Sequence, residues 1–199
     1  MEPGDTVLMD GEKIPERNSE PVYIVLNKPV GIICTAAEHV EGNIIQYVNY
    51  PSRIFAVGRL DKASEGLILL TNNGDIVNKM MRSEHHHEKE YVVTVDKPIT
   101  DEFIESMSQG VEILDIVTKP CEVYRHSENV FRIILTQGLN LQIRRMCKAL
   151  GYRVFKLERI RIMNIILDER IKRGEWRHLE QQELGLLLSQ LDNTEAGDE

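Results

Sequence analysis

The apolar residues of this chain come in short bursts, and that limits the fold more than any other feature. The longest uninterrupted aliphatic run is Leu67-Ile68-Leu69-Leu70, far below the roughly 20 residues a membrane-spanning helix needs. Val22-Tyr23-Ile24-Val25-Leu26, Ile54-Phe55-Ala56-Val57, the run from Gly66 to Thr71 and the run from Tyr91 to Val95 have the length and β-branched content of buried strands. Polar and turn-forming residues stop them, as in Asn27-Lys28-Pro29, Asn72-Asn73-Gly74 and Asp96-Lys97-Pro98. More strands are expected around 117–124, 130–136 and 152–167. Helical patterning starts at Asp75, read as the cap of a helix through Arg82, and again after Thr100, to about Gln109 with Gly110 closing it. A third helix is expected from Leu141 to Leu150, capped by Asn140 and ended by Gly151, and a last one over about 180–190. Successive strands often have no helix between them, which predicts an α+β fold with a largely antiparallel or mixed sheet, not βαβ alternation.

Residues 1–18 are turn-rich: Pro3-Gly4-Asp5 and Asp10-Gly11 punctuate Thr6-Val7-Leu8-Met9, a hairpin pattern too small for a core of its own. The division expected is a short 1–18 piece with a polar linker, a main body over 19–190 and an acidic, disordered tail over 191–199. Three widely spaced cysteines, Cys34, Cys121 and Cys147, with no CxxC pair, argue against a disulfide framework or zinc site. No basic-then-apolar segment opens the sequence, so a cytoplasmic chain is expected.

The net charge of −8 is unevenly spread. Residues 1–20 carry −4 and residues 180–199 carry −6, leaving +2 on the body. Within it, 132–177 holds twelve Lys and Arg against four acids. A basic zone between acidic flanks fits a nucleic-acid partner, and it equally fits a solvated helix face.

Three segments carry the chemistry: Gly58-Arg59-Leu60-Asp61-Lys62-Ala63-Ser64-Glu65-Gly66-Leu67, then Glu88-Lys89-Glu90-Tyr91, then Gly138-Leu139-Asn140-Leu141-Gln142-Ile143-Arg144-Arg145-Met146-Cys147. Asp61 lies in a polar interruption between apolar runs, where a side chain stands at a sheet rim on rigid neighbours. Taken alone, such an aspartate is more often a turn or cap residue than a catalytic one. In order and spacing the three segments resemble the signature blocks of the pseudouridine synthases. The RsuA-type branch, which modifies single uridines in ribosomal RNA, is the nearest, and within it the F-type group that acts on the large ribosomal subunit. Asn27-Lys28-Pro29-Val30-Gly31, Arg161-Ile162-Met163-Asn164 and Gly174-Glu175-Trp176-Arg177 add to the resemblance, which spans about 20–180.

The resemblance implies the pseudouridine synthase catalytic fold over 19–190, and isomerisation of a specific uridine in RNA, with 23S ribosomal RNA as the leading substrate and tRNA as a further one. It implies Asp61 as the nucleophile, attacking sugar or base. Arg144, within about 4–6 Å, would favour the carboxylate. Tyr91 would lie against the base, where stacking is worth about 1–3 kcal/mol. The buried uridine must be flipped out of its stack, and Arg59 corresponds to the arginine that fills the vacated space. Asn140, Gln142, Lys156, Arg159 and Arg161 are expected along the RNA path. Arg145, about 100° around the helix from Arg144, is expected to contact phosphate. Leu67 and Ile143 are candidate pocket walls. The bland readings are a core strand residue for Tyr91, core packing for the two aliphatics, and ordinary surface for the rest.

Two departures stand out. Leu141 replaces an arginine usual in the family block, one phosphate contact fewer. Residues 4–14 resemble only the closing strand of the S4-type RNA-binding domain that commonly begins these synthases. His85-His86-His87-Glu88 reads as a solvated loop rather than a metal site, since consecutive side chains diverge. No metal, cofactor, membrane or oligomeric partner is indicated. One other function class competes, a catalytically silent RNA-binding assembly factor on the same fold; a hydrolase with Asp61 and Glu65 as paired carboxylates is disfavoured, because the loop expected between them gives no fixed face.

Overall fold

The computed structural model describes residues 8–9, 12–13, 20–82 and 87–195. Two short strands, β1 (Leu8–Met9) and β2 (Glu12–Lys13), pair antiparallel near the start; the rest of the 1–18 piece lies outside the described residues. The body runs β3 (Tyr23–Lys28), α1 (Ile44–Val48), β4 (Phe55–Val57), β5 (Glu65–Thr71), α2 (Gly74–Arg82), β6 (Lys89–Val95), α3 (Asp101–Gln109) and the hairpin β7 (Glu112–Ile113) and β8 (Ile116–Val117). It continues through β9 (Glu122–Arg125), β10 (Val130–Leu135), α4 (Gln142–Ala149), β11 (Val154–Ile162), β12 (Ile165–Ile166), β13 (Trp176–His178) and α5 (Gln181–Glu195).

Among the described residues, nine strands form one sheet in the order β13-β3-β5-β11-β6-β10-β9, with β4 added to β5 and β12 to β11. Only β5 and β11 pair parallel, Glu65 opposite Glu158 and Gly66 opposite Arg159; the other pairings in this sheet are antiparallel. The sheet is thus mixed and largely antiparallel, with helices flanking it. Gly66 makes the parallel joint possible. Its φ is +101°, and a Cβ there would stand 2.3 Å from the backbone oxygen of Arg159, far inside contact distance.

Helix ends follow local chemistry, with some departures from expectation. Thr100 accepts from the Phe103 amide and Gly110 ends α3, as its residue types dictate. In α2 the capping oxygen belongs to Asn73, which accepts from the Asp75 amide; Asp75 already lies inside the helix. Asn140 does not cap α4. Leu141 takes that position in a left-handed conformation (φ 51°) with no side-chain cap bond, while Gln142 Oε1 folds back to accept from the Leu139 amide. The short α1, capped by Asn43, was not anticipated. Helix α5 runs to Glu195, not 190, with Leu191 buried and Asp192 paired to Lys79; residues 196–199 of the expected tail lie outside the described residues.

Three apolar clusters hold the body together. One joins β6, β10, β11, α3 and α4 around Phe131 and Met146. A second lies under α2 and α5. The third packs α1 and Leu60 against β3 and β5. Tyr91 touches both the first and the third, which places it where the two halves of the sheet meet.

Candidate active site

The loop after β4 exists because β4 turns back antiparallel onto β5, Val57 opposite Leu69. Residues 58–64 must bridge that reversal. Leu60 is buried in the core, anchoring the loop from below, and the Ser64 amide donates to the Asp61 carbonyl at 3.0 Å, closing a turn at the tip. The Gly31 amide donates to the Lys62 carbonyl, tying the loop to the segment after β3. Asp61 is held at the rim of a cavity of about 400 Å³, its side chain 37% exposed.

Across the cavity, the first turn of α4 brings in Arg144. Its Nη2 donates to the Ala63 carbonyl (3.0 Å) and to Ser64 Oγ (3.1 Å), while Nε stands 4.0 Å from Asp61 Oδ2. Tyr91, half-buried on β6, lines the same cavity. It sits opposite Arg159 of β11, so the two side chains are cross-strand neighbours. Arg59, Asn140, Gln142 and Ile143 also face the cavity. Three segments separated by 30 and 53 residues in sequence numbering therefore surround one space with a carboxylate, a phenol and a guanidinium.

Several candidates sit in other surroundings. Arg159 is 2% exposed: Nε donates to the Leu67 carbonyl at 2.7 Å and Nη1 to the Arg59 carbonyl at 3.4 Å. It is a strut linking β11, β5 and the Asp61 loop, and it lines the cavity from inside. Gln142, also buried, organises the loop before α4 through Leu139 and Gln137. Arg145 lies outside the cavity lining and clasps Asn140 through its carbonyl and Oδ1 (3.0 and 3.1 Å). Lys156 pairs with Glu65 and Glu158, both at 3.0 Å, and Arg173 pairs with the same two acids. Arg161 pairs with Glu88 and Glu90 at 2.9 Å, and Arg132 shares Glu90. Lys156 and Arg161 are thus not on the cavity, and carboxylates compensate their charge. Leu67 is core, away from the cavity lining. Glu65, committed to Lys156 and Arg173, is not a free second carboxylate beside Asp61.

Two residues were missed. Lys28 is fully buried, its Nζ donating to the Pro29 and Ile32 carbonyls at 2.9 Å. Burial holds its ammonium below the usual lysine range, against the opposing pull of Cys34 and Asp61. The signal was the Asn27-Lys28-Pro29 block itself. His87 is 1% exposed and lines the cavity, so it does not belong to a solvated loop; His85 and His86 lie outside the described residues. Among the described residues, no group of three or more His, Cys, Asp or Glu side chains is placed to hold a metal ion.

A family model described as RNA pseudouridylate synthase matches residues 22–149, well over half of the chain and all three segments around the cavity. The chain belongs to this family. The Escherichia coli (strain K12) "Dual-specificity RNA pseudouridine synthase RluF" is 54% identical over 197 residues, covering 98% of this chain and 68% of the relative. The "Ribosomal small subunit pseudouridine synthase A" of Salmonella typhimurium is 32% identical over 186 residues, covering 92% and 80%. A solved structure described as "Crystal structure of pseudouridylate synthase" superposes with a TM-score of 0.78 at 32% identity, covering 84% of this chain and 74% of that one.

This pseudouridine synthase is an isomerase that acts on RNA, and its surface charge is arranged differently from the linear count. Besides Glu158 and Asp168 within the 132–177 zone, acids from elsewhere neutralise its bases: Glu65, Glu88 and Glu90 from the first half, Glu180 and Glu183 from beyond it. Arg59 at the cavity and Arg145 beside it have no carboxylate ion-pair partner among the described residues.

Proposed function

We propose that the chain converts a specific uridine of large-subunit ribosomal RNA into pseudouridine, with tRNA as a second substrate class, and works as a cytoplasmic monomer. The observation carrying this is the convergence of Asp61, Tyr91 and Arg144 on one cavity of about 400 Å³, a volume in the roughly 300–1,000 Å³ range of sites that enclose small ligands. The substrate classes rest on the resemblance to the F-type group and on the dual specificity named for the 54%-identical relative.

The target uridine is flipped out of the helix into the cavity, with exposed Arg59 standing beside the nucleophile. The Asp61 carboxylate attacks, either the sugar or the ring, and the bond between N1 and C1′ breaks. The freed uracil turns against the Tyr91 ring and rejoins C1′ through C5, and the bond to Asp61 breaks, returning its carboxylate. The proton lost from C5 leaves through the Tyr91 hydroxyl and N1 gains one, so the atoms balance and no net oxidation occurs. Arg144 orients the carboxylate. Arg145 contacts phosphate, and Arg59 fills the space that the flipped base leaves.

The experiment compares wild type with Asp61→Asn on a large-subunit rRNA transcript and on tRNA, mapping pseudouridine by carbodiimide modification. Product at one rRNA position with wild type and none with Asp61→Asn is expected. Wild-type protein that binds the transcript yet modifies no uridine would instead identify a silent assembly factor.

A further inference from the structure

We propose that Ser64 is a positioning residue for the isomerisation, acting through Arg144. The inference rests on Asp61 being the nucleophile. A guanidinium has five N–H donors in a rigid plane, so which edge it turns to a carboxylate depends on what holds the remainder. In Arg144, Nη2 is held twice, by the Ala63 carbonyl at 3.0 Å and by Ser64 Oγ at 3.1 Å. The edge left over is Nε, which is buried, has no hydrogen-bond partner and faces Asp61 Oδ2 at 4.0 Å. The anchor selects the edge.

The anchor and the nucleophile are also the same piece of chain. Ser64 and Asp61 close one turn through the Ser64 amide and the Asp61 carbonyl at 3.0 Å. The distance between guanidinium and carboxylate is therefore set by a four-residue turn, although α4 lies some eighty residues further along. Ser64 is fully buried. A buried hydroxyl needs a polar partner, and the partner present is the arginine. Arg144 itself is 22% exposed along its side chain, so without this hold it has solvent-facing rotamers available. With it, closing the 4.0 Å gap to a charge-assisted hydrogen bond of about 2.8 Å needs only a small swing about the Nη2 anchor.

The test is a double-mutant cycle in single-turnover pseudouridine formation on the rRNA transcript, with RNA affinity measured alongside. Ser64→Ala is expected to slow turnover about tenfold or more, as misorientation of a catalytic group does, with RNA affinity within about twofold of wild type. Ser64→Thr, which keeps the acceptor oxygen, should recover most of the rate. In an Arg144→Ala background, Ser64→Ala should bring no further loss, since the residue it acts through is gone. The same tenfold loss in both backgrounds would show that Ser64 matters only for folding, and would overturn the inference. So would a Ser64→Ala enzyme as fast as wild type. Should Ser64→Ala not accumulate folded, Ser64→Cys carries the same comparison, because its sulfur is a poor acceptor. Wild-type protein making no pseudouridine would refute the functional reading itself, an outcome distinct from all of these.

Discussion

Replacing Gly66 by alanine tests whether the parallel joint holds the site together. The added Cβ would lie 2.3 Å from Arg159 O and 2.8 Å from Arg159 N, both backbone atoms that cannot swing aside. A residue with a side chain held at φ +101° carries about 1–3 kcal/mol of strain. Relieving the clash requires β5 and β11 to separate by about 1 Å, which weakens the joint's hydrogen bonds and the Arg159 Nε bond to the Leu67 carbonyl at roughly 1 kcal/mol each. The expected loss is about 3–5 kcal/mol, a large share of the roughly 5–15 kcal/mol of a typical domain. Urea unfolding followed by circular dichroism measures it, with Gly74→Ala as control. Gly74 opens α2 with nothing within 4 Å of the added carbon, so that change should alter stability by less than about 1 kcal/mol. A Gly66→Ala protein within about 1 kcal/mol of wild type would refute the claim that close approach at this joint demands glycine.

Arg144→Ala should reduce turnover far more than RNA affinity, while Arg145→Ala should do the reverse and lower the salt slope of binding by about one unit; equal affinity losses in the two would sink the division of roles. Lys156→Ala should leave affinity and salt slope unchanged within about twofold, because Glu65 and Glu158 already neutralise it; a lost unit of slope in filter binding would place it on the RNA. Burial raises the thiols of Cys121 to about 11 and Cys147 to about 12 from 9.0. Their folded values exceed the unfolded one, so their contribution is complete below pH 9 and is lost as pH rises from 9 towards 11, at about 1.4 kcal/mol per pH unit per thiol. Urea melts across that window should show a flatter slope for the Cys121→Ala/Cys147→Ala double variant than for wild type, and identical slopes would contradict the burial argument.

Strands and capped helices were legible where the determinants are local. Thr100 and Gly110 bracket α3 by residue type alone, and the apolar runs became β3, β4, β5 and β6. The trio around the cavity was legible because each member sits in a distinctive block. What escaped depends on partners distant in sequence. Nothing near Lys156 or Arg161 says that Glu65, Glu88 and Glu90 will cover them, and a linear charge count cannot see such compensation. Arg159 looks like any other strand arginine until β5 supplies the Leu67 carbonyl. The left-handed Leu141 takes the cap position, and the Asn140 Oδ1 accepts from Arg145 instead of a helix amide.

The position of β11 has a consequence for the site. In the sheet order it lies between β5 and β6, yet it is formed by residues 154–162, after Asp61, Tyr91 and Arg144 in the sequence. Without that strand the sheet order falls into two ribbons, β13-β3-β5 beside the nucleophile's loop and β6-β10-β9 bearing the aromatic ring. A polypeptide ending before residue 154 would carry Asp61, Tyr91 and Arg144 yet lack the strand that joins their two halves of the sheet.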